Sequence, residues 1–214
     1  MADQTLFEGP FAALYSFYIE REAIGRAVAK IVWRSDIEPY YAALPEVGGE
    51  EDGTTIIDAP CGSGIALRHL RPDQSVSYLA VDLSSAMLDR ARRTAAERGL
   101  DQVELLRADA TELPLGEGRA DLFLSWWGLH CFEQPEAAVR EASRCLKPGG
   151  RLIGSSFVTG ERPADRLLVR PHTGGFGAVG AAEDLRLWLE GAGLDQVELD
   201  VRGVFAYFRA RKLA

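Results

Sequence analysis

Residues 54–64 read Thr-Thr-Ile-Ile-Asp-Ala-Pro-Cys-Gly-Ser-Gly. The first half is β-branched and apolar, which is typical of a buried strand, and the second half is a turn rich in glycine. A helical pattern resumes over residues 65–70, so the stretch predicts a strand, a tight turn and a helix in that order. Such a turn lets the backbone approach a ligand closely. We therefore expect a ligand-binding turn at residues 58–64.

The same alternation continues along the chain. Strands are predicted at residues 77–81, 103–106, 120–125 and 151–157, helices at 84–98, 135–146 and 182–190, and a closing antiparallel hairpin at 197–201 and 204–210. Strands that alternate with helices indicate a parallel sheet covered on both faces. The expected fold class is α/β: a doubly wound, Rossmann-like, mostly parallel sheet of seven strands with an antiparallel last strand.

Two regions lie outside this pattern. Residues 1–50 repeat aromatic and aliphatic residues at helical spacing and are predicted to form a helical N-terminal cap on a core of residues 51–214. Residues 159–181 are rich in glycine and proline, which is typical of a mobile loop, and are predicted to be a lid-like insertion. We expect both regions to roof a substrate pocket.

Composition excludes several classes of protein. Asp and Glu total 32 against 24 Lys and Arg, and the net charge of −8 argues against nucleic acid as a partner. The longest uncharged apolar stretch, residues 122–132, is too short for a membrane-spanning helix. The N-terminus lacks the pattern of a secretion signal and the three cysteines form no C-x-x-C pair, so a cytoplasmic location is expected, as a monomer or homodimer.

Acidic residues follow three of the predicted strands: Asp58, Asp82 and Asp109. Because parallel strands end at one edge of a sheet, the three should line that edge. Carboxylates suit a ligand with hydroxyls and amines, such as a ribose diol beside the second strand and the exocyclic amine of adenine beside the third. Each acid alone could simply cap the helix that follows it. Three in register favour a binding site.

With these residues in place, the sequence resembles the class I S-adenosylmethionine-dependent methyltransferases, in the small-molecule branch related to ubiquinone and menaquinone methylases. The resemblance covers about residues 50–158: residues 58–64, 81–84, 109–110 and 146–152 are similar to the family's first, second and third motifs and its turn into strand five. Pro60 departs from the glycine of many members and has no N–H, so the turn's contacts are expected from Cys61, Gly62 and Gly64.

The resemblance implies S-adenosyl-L-methionine as the cofactor. Asp82 would hold the ribose hydroxyls, Leu83 and Met87 would pack on the adenine, and Asp109 with Ala110 would read its edge. The implied cofactor-binding residues are Asp58, Ala59, Cys61, Gly62, Gly64, Asp82, Leu83, Met87, Asp109, Ala110 and Ser125.

The fourth strand leads to the candidate chemistry. His130 is the candidate catalytic residue, as a base or an orienting group, with an ordinary pKa near 6.5. Side chains alternate along a strand, so we expect one of Trp126 and Trp127 in the core and the other at the pocket. Aromatic walls favour a flat or apolar acceptor. Candidate substrate-binding residues are Tyr15, Tyr18, Trp126, Trp127 and His172.

The expected activity is methyl transfer to a small, mainly apolar or aromatic molecule, with oxygen as the expected acceptor atom. No metal is expected, because the carboxylate of strand four, Asp121, lies at its beginning. Two alternatives remain open: a cofactor-binding protein or cyclase without methyl transfer, and an NAD(P)-dependent oxidoreductase. Leu67, at the position of the third glycine in the dinucleotide fingerprint, argues against the second.

Overall fold

The computed structural model describes residues 19–160, 162, 165, 169 and 177–213. Its sheet contains β1 (Thr55–Asp58), β2 (Ser77–Asp82), β3 (Val103–Arg107), β4 (Ala120–Trp126), β5 (Leu146–Phe157), β6 (Leu194–Arg202) and β7 (Phe205–Lys212). The order across the sheet is β3-β2-β1-β4-β5-β7-β6. Strands β1 to β5 pair in parallel, and β7 is antiparallel to both of its neighbours. The predicted fold class is confirmed.

The described α-helices are α1 (Glu22–Ile31), α2 (Glu38–Ala43), α3 (Ser85–Arg98), α4 (Pro135–Cys145) and α5 (Ala182–Gly191), with 3-10 turns at Leu44–Gly49, Ala66–His69 and Leu129–Cys131. The ends of α3 follow local chemistry: the Ser84 hydroxyl accepts from the Met87 N–H, and Gly99 ends the helix in the left-handed region. The helical pattern at 65–70 forms only a 3-10 turn, because Pro72 disfavours helical backbone at Arg71.

The two faces of the sheet bury separate cores. Ile56, Leu124 and Trp126 pack on one face with α3 and the described N-terminal segment. Ile57 and Phe123 pack on the other face with α4 and α5. This alternation follows from the period of two in a strand, and it places the side chain of the last residue of each strand on a defined face.

The described part of the predicted cap contributes to the first of these cores. Tyr40 of α2 is fully buried, and the Trp33 ring lies 4.7 Å from that of Phe157, the last residue of β5. The Tyr207 hydroxyl donates to the Asp36 carbonyl at 2.8 Å. Residues 33–41 therefore cover the carboxyl ends of β4 and β5. None of the helices within the described ranges has the length and apolar character that a membrane crossing requires.

Some of the predicted residues lie outside the described part of the chain. They are Tyr15 and Tyr18 of the cap and His172 of the predicted lid, together with most of residues 159–181. Their proposed part in substrate binding stays a prediction.

Candidate active site

The three predicted acids lie at the carboxyl edge of the sheet, on neighbouring strands. Asp58 is the last residue of β1, in register with Ala80 and Leu124. Asp82 is the last residue of β2, and Asp109 follows β3 by two residues. We call Asp58, Asp82 and Asp109 the carboxylate row.

The glycine turn connects β1 to this row. The Cys61 N–H donates to the Val81 carbonyl at 2.7 Å, the Gly64 N–H to the Cys61 carbonyl at 3.0 Å and the Gly62 N–H to Asp82 Oδ2 at 2.8 Å. All three donors are thus paired within the protein. The part of these residues in cofactor binding stays a prediction, in which the turn offers a ligand close approach and carbonyl acceptors.

The two glycines of the turn serve different purposes. Both have positive φ, +54° at Gly62 and +77° at Gly64. A Cβ on Gly64 would lie 2.8 Å from the Leu67 side chain and 3.1 Å from Ala91, so this glycine lets α3 pack closely. A Cβ on Gly62 would meet nothing within 4 Å. The space in front of Gly62 is therefore open to a ligand.

Asp82 and Asp109 both accept hydrogen bonds from the residues that follow them, which is the capping role that the sequence analysis kept as an alternative to ligand binding. Asp82 Oδ1 accepts from the Ser84 N–H at 2.9 Å, and Asp109 Oδ1 accepts from the Thr111 N–H and hydroxyl at 2.8 and 2.7 Å. Asp82 is buried, which raises its pKa, whereas Asp109 is exposed. A carboxylate can accept about four hydrogen bonds, and Asp82 receives three from the Ser84, Gly62 and Leu83 N–H groups, so it keeps capacity for a ligand hydroxyl.

Asp58 differs from both, because its partner comes from a neighbouring strand. It is 1% exposed, and the Tyr78 hydroxyl donates to its Oδ2 at 2.7 Å. Among the described residues, Oδ1 has no hydrogen-bond partner. Burial raises the pKa of Asp58 to about 7, with a further increase from Asp82, while the Tyr78 hydrogen bond opposes the rise. A buried acceptor without a donor is costly, so a ligand donor fits there.

Most of the other predicted cofactor residues are buried. The buried ones are Ala59, Cys61, Met87, Ala110 and Ser125, whereas Leu83 is exposed at the edge. The Cys61 thiol has a pKa far above its ordinary value because of burial beside two carboxylates. Cys61 is therefore a poor nucleophile, as the sequence indicated.

Beyond β4, aromatic rings replace the carboxylates. Trp127 lies 4.8 Å from Phe205, 5.5 Å from Phe157 and 5.5 Å from Tyr40 between ring centroids. Tyr40 also meets Trp126 edge-on at 5.4 Å. We call Tyr40, Trp126, Trp127, Phe157 and Phe205 the aromatic cluster.

The expectation that one tryptophan lies in the core and the other at the pocket is wrong. Both are buried, at 8% and 6% exposure, in the same cluster. The strand ends at Trp126, and Trp127 adopts φ +54°, so the alternation of strand side chains no longer applies. Within the described part of the chain, neither indole Nε1 has a hydrogen-bond partner.

His130 lies on the 3-10 turn after β4 and is buried. Its Nδ1 accepts a long hydrogen bond of 3.5 Å from the Phe157 N–H, and its ring is 4.7 Å from the Phe157 ring. Burial lowers the pKa of His130 to about 3, so the expected value near 6.5 is wrong. An imidazole this weakly basic stays neutral at physiological pH.

Sequence reasoning missed Gly128. A Cβ at this position would lie 2.3 Å from Pro60 Cδ and 3.3 Å from the Ser125 hydroxyl oxygen. Gly128 therefore lets the loop after β4 touch the glycine turn. Its backbone has φ −102°, so no left-handed turn marks the position. The only signal was a glycine beside two tryptophans.

The elements that carry this site match a known family of proteins. Residues 57–154 match the family model described as "Methyltransferase domain". The demethylmenaquinone methyltransferase of Clavibacter sepedonicus is 35% identical over 124 residues, which cover 58% of this chain and 48% of that protein. The chain spans about a third to a half of the length of curated relatives that it matches.

Two solved structures share the fold. The [4+2]-cyclase SpnF has a TM-score of 0.69 at 22% identity, covering 84% of this chain and 82% of that one. Phosphoethanolamine N-methyltransferase 2 of Haemonchus contortus, in complex with S-adenosyl-L-methionine, has a TM-score of 0.71 at 15% identity, covering 83% of this chain and 53% of that one. At these identities the likeness concerns the fold alone.

Proposed function

We propose that the chain is a class I S-adenosylmethionine-dependent methyltransferase, because residues 57–154 match the methyltransferase-domain family and a demethylmenaquinone methyltransferase is 35% identical over 124 residues. It would transfer a methyl group from S-adenosyl-L-methionine to a hydroxyl oxygen of a small, mainly apolar or aromatic molecule. The observation that carries the proposal is the meeting of the carboxylate row and the aromatic cluster at one edge of the sheet. One suits a polar, positively charged cofactor, and the other suits an apolar acceptor.

The carboxylate row supports the cofactor assignment. Asp82 would accept from the ribose hydroxyls with the acceptor capacity that the Gly62, Ser84 and Leu83 N–H groups leave free. Leu83, exposed beside Asp82, and Met87 would flank the adenine, whose edge Asp109 and Ala110 would meet. The open space at Gly62 and the unpaired Asp58 Oδ1 fit a ligand that approaches the backbone and carries a donor.

The aromatic cluster supports the acceptor assignment. Trp126 and Trp127 offer flat apolar surface and two indole N–H groups that the described residues leave unpaired. An acceptor with a ring and an oxygen atom would pack on the rings and accept from an indole N–H. When bound, the cofactor supplies a methyl group on a sulfonium sulfur. The protein's task is then to align the acceptor oxygen with that methyl group and to exclude water.

His130 would act as a neutral orienting group. A general base works best with a pKa near the working pH, and burial holds the pKa of His130 far below it. Its Nδ1 already accepts from the Phe157 N–H. His130→Gln should then lower kcat less than about tenfold, well short of the roughly 10²- to 10⁴-fold loss expected on removing a general base. A loss in that larger range would restore the role of base.

The proposal is tested by incubating the full chain with S-adenosyl-L-methionine and a set of phenols, hydroxyquinones and aliphatic alcohols. Intact mass should show the gain of one methyl group on an aromatic member, and methyl-group NMR should place it on oxygen. Asp82→Ala, at equal concentration, serves as the control with weakened cofactor binding. Methylation at carbon would overturn the choice of acceptor atom. Cofactor binding with conversion of an acceptor but without added methyl would favour the cyclase alternative.

A further inference from the structure

The connection between β3 and β4 carries Asp109 and Ala110 without a helix of its own. Residues 108–119 contain no helix or strand. Within this stretch Asp109 holds a short turn: its Oδ1 accepts from the Thr111 N–H and hydroxyl, and its carbonyl accepts from the Glu112 N–H at 3.1 Å. A connection without regular secondary structure must find partners for its backbone groups elsewhere in the molecule.

A pair of side chains on α4 supplies such partners further along the connection. Glu141 Oε1 accepts from the Leu113 N–H at 2.7 Å. The Arg144 guanidinium donates to the Leu115 carbonyl at 2.8 Å and to the Leu113 carbonyl at 3.3 Å. Glu141 and Arg144 are three residues apart, so they share a face of the helix. We call these two residues the loop clamp, because together they hold both backbone groups of Leu113.

The two members of the loop clamp also fix each other. Arg144 Nε donates to Glu141 Oε2 at 2.8 Å and Nη2 donates to Oε1 at 2.6 Å, which is the bidentate geometry in which a guanidinium matches a carboxylate. The hydrogen bond from Arg144 lowers the pKa of Glu141, so the carboxylate stays ionised at neutral pH. Its side chain is only 11% exposed. An ionised and oriented carboxylate holds a backbone N–H firmly.

The loop clamp is connected to the residues that the cofactor assignment places at the adenine edge. Ala110 and Leu113 both lie in the buried cluster that α4 shares with the sheet, so the helix packs against both ends of the segment 110–113. Glu112, next to the clamped Leu113, donates to the Asp109 carbonyl. A displacement of Leu113 would consequently be transmitted through this closed turn to Asp109.

We propose that Glu141 and Arg144 are positioning residues for nucleobase recognition: through Leu113 they hold Asp109 where its carboxylate accepts from the exocyclic amine of adenine. This inference rests on the proposed cofactor. Both Thr111 donors meet Asp109 Oδ1, and a carboxylate has about four acceptor sites, so capacity for the amine remains. A base with a carbonyl oxygen in place of the amine would face the carboxylate without a donor. Discrimination between the two bases thus depends on where the loop clamp places Asp109.

The experiment compares two ligands that differ at this one position of the base. S-Adenosylhomocysteine has the amine and S-inosylhomocysteine has a carbonyl oxygen there, and calorimetry with the full chain gives both dissociation constants. Wild type should bind the adenine form at least about tenfold more tightly, which is the gain from a hydrogen bond to a charged group. Glu141→Ala should reduce this ratio by about three- to tenfold. Arg144→Lys keeps the charge but loses the fork of donors, so it should also reduce the ratio.

Asp121→Ala is the matched control. Asp121 likewise accepts from a backbone N–H, that of Thr55 at 2.9 Å, and pairs with a cation, Lys147 Nζ at 2.8 Å. It lies near the start of β4, at the edge of the sheet opposite Asp109. Asp121→Ala should remove a comparable set of bonds and leave the ratio of the two dissociation constants unchanged. Because both ligands bind the same folded molecules, the ratio stays informative even where a variant is less stable.

Two further measurements test the route of the effect. In an Asp109→Ala background, which lacks the carboxylate that meets the amine, Glu141→Ala should change the ratio no further. In the ligand-free protein, amide hydrogen exchange of residues 109–115 should be faster in Glu141→Ala than in Asp121→Ala, since the Leu113 N–H has lost its acceptor.

The outcomes separate this inference from the proposed function. A lower ratio in both loop-clamp variants, absent in Asp121→Ala and in the Asp109→Ala background, supports the inference. Equal weakening of both ligands in the loop-clamp variants, unchanged exchange at residues 109–115, or a wild type that does not distinguish the ligands overturns the inference and leaves the cofactor in place. Absence of binding of either ligand to wild type overturns the cofactor and the inference together.

Discussion

The two halves of the carboxyl edge stabilise their side chains in opposite ways. At the ends of β1, β2 and β3, buried or edge carboxylates accept hydrogen bonds from backbone and tyrosine donors. At the ends of β4 and β5, packed rings enclose His130, whose Nδ1 accepts from the Phe157 N–H. The same rings enclose the indole N–H groups of Trp126 and Trp127, which have no hydrogen-bond partner among the described residues. Within the described residues, the polar half of the edge thus contains an unpaired acceptor, Asp58 Oδ1, and the apolar half contains two unpaired indole donors.

This difference shows how one sheet edge can serve two unlike ligands. Burial raises the pKa of the Asp58 acid to about 7 and lowers that of the His130 base to about 3, so both groups tend toward their neutral forms. Asp58 has a tyrosine that favours its charged form, whereas burial alone sets the pKa of His130. The polar half can therefore hold a charged side chain such as ionised Asp58, whereas the apolar half keeps His130 neutral.

The largest expected effect concerns acid stability and His130. Its folded-state pKa lies below the ordinary value near 6.5, so below that pH the unfolded chain binds a proton that the folded chain does not. The contribution of His130 to the free energy of unfolding is full above pH 6.5 and should fall by up to about 1.4 kcal/mol per pH unit toward pH 3. Denaturant unfolding at pH 7 and pH 4.5 should show a smaller loss for His130→Gln than for wild type.

His69→Gln is the matched control for this measurement. The ring of His69 is only partly buried, on the turn Ala66–His69, and its pKa is also lowered. It should reduce the acid sensitivity less than His130→Gln does. Equal effects of the two substitutions would contradict the conclusion that the deeper burial of His130 makes the protein acid-sensitive.

The next effect concerns cofactor affinity. Asp82→Ala removes the carboxylate that holds the Gly62 and Ser84 N–H groups and that would receive the ribose hydroxyls. Binding of S-adenosylhomocysteine should weaken by roughly 1.5 to 3 kcal/mol, measured by calorimetry. Asp89→Ala, an exposed change on α3, should leave affinity unaltered. Unchanged affinity in folded Asp82→Ala would remove Asp82 from the site.

A smaller effect concerns the contact between the two halves. Gly128→Ala places a methyl group against the Pro60 ring, which should cost about 1 to 3 kcal/mol of stability through overpacking. Gly49→Ala meets nothing within 4 Å and serves as the control. Thermal unfolding should show a lower Tm for Gly128→Ala alone. Equal Tm values would mean that the halves are not in firm contact there.

The smallest effect concerns the acceptor. Trp127→Phe keeps an aromatic ring and removes the indole N–H. The binding free energy of the acceptor should weaken by about 0.5 to 1.5 kcal/mol, which raises KM for the acceptor a few-fold to about tenfold, while cofactor affinity stays constant. Trp188→Phe, on the opposite face of the sheet, is the control. Steady-state kinetics would separate the two. A parallel loss of cofactor affinity would mean that Trp127 contributes to the cofactor site in the polar half, which would contradict its assignment to the acceptor.

Local patterns were sufficient to predict the fold and the position of the carboxylate row. Strand ends, the caps of α3 and the spacing of Asp58, Asp82 and Asp109 depend on residues that are near in sequence. The aromatic cluster was not predictable in the same way. The pKa of His130 depends on packing against Phe157, 27 residues away, and the burial of both tryptophans depends on a positive φ at Trp127.

The Asp58–Tyr78 pair falls between these cases. The two residues are 20 apart in sequence, and their contact depends on the register of β1 against β2. That register could not be read from either strand alone. A tyrosine inside a strand beside an acid at the end of its neighbour was the available signal, since both would share a face.

The enclosure of Trp126 and Trp127 also gives the protein an optical reporter. Indoles in a dry, apolar setting emit at shorter wavelength than indoles in water, and these two lie among rings and aliphatic side chains. The sequence contains four tryptophans, and three of them, Trp33, Trp126 and Trp127, lie in or against the aromatic cluster. Occupancy of the apolar half can thus be followed in solution by the colour and yield of intrinsic fluorescence, without a label and before any turnover.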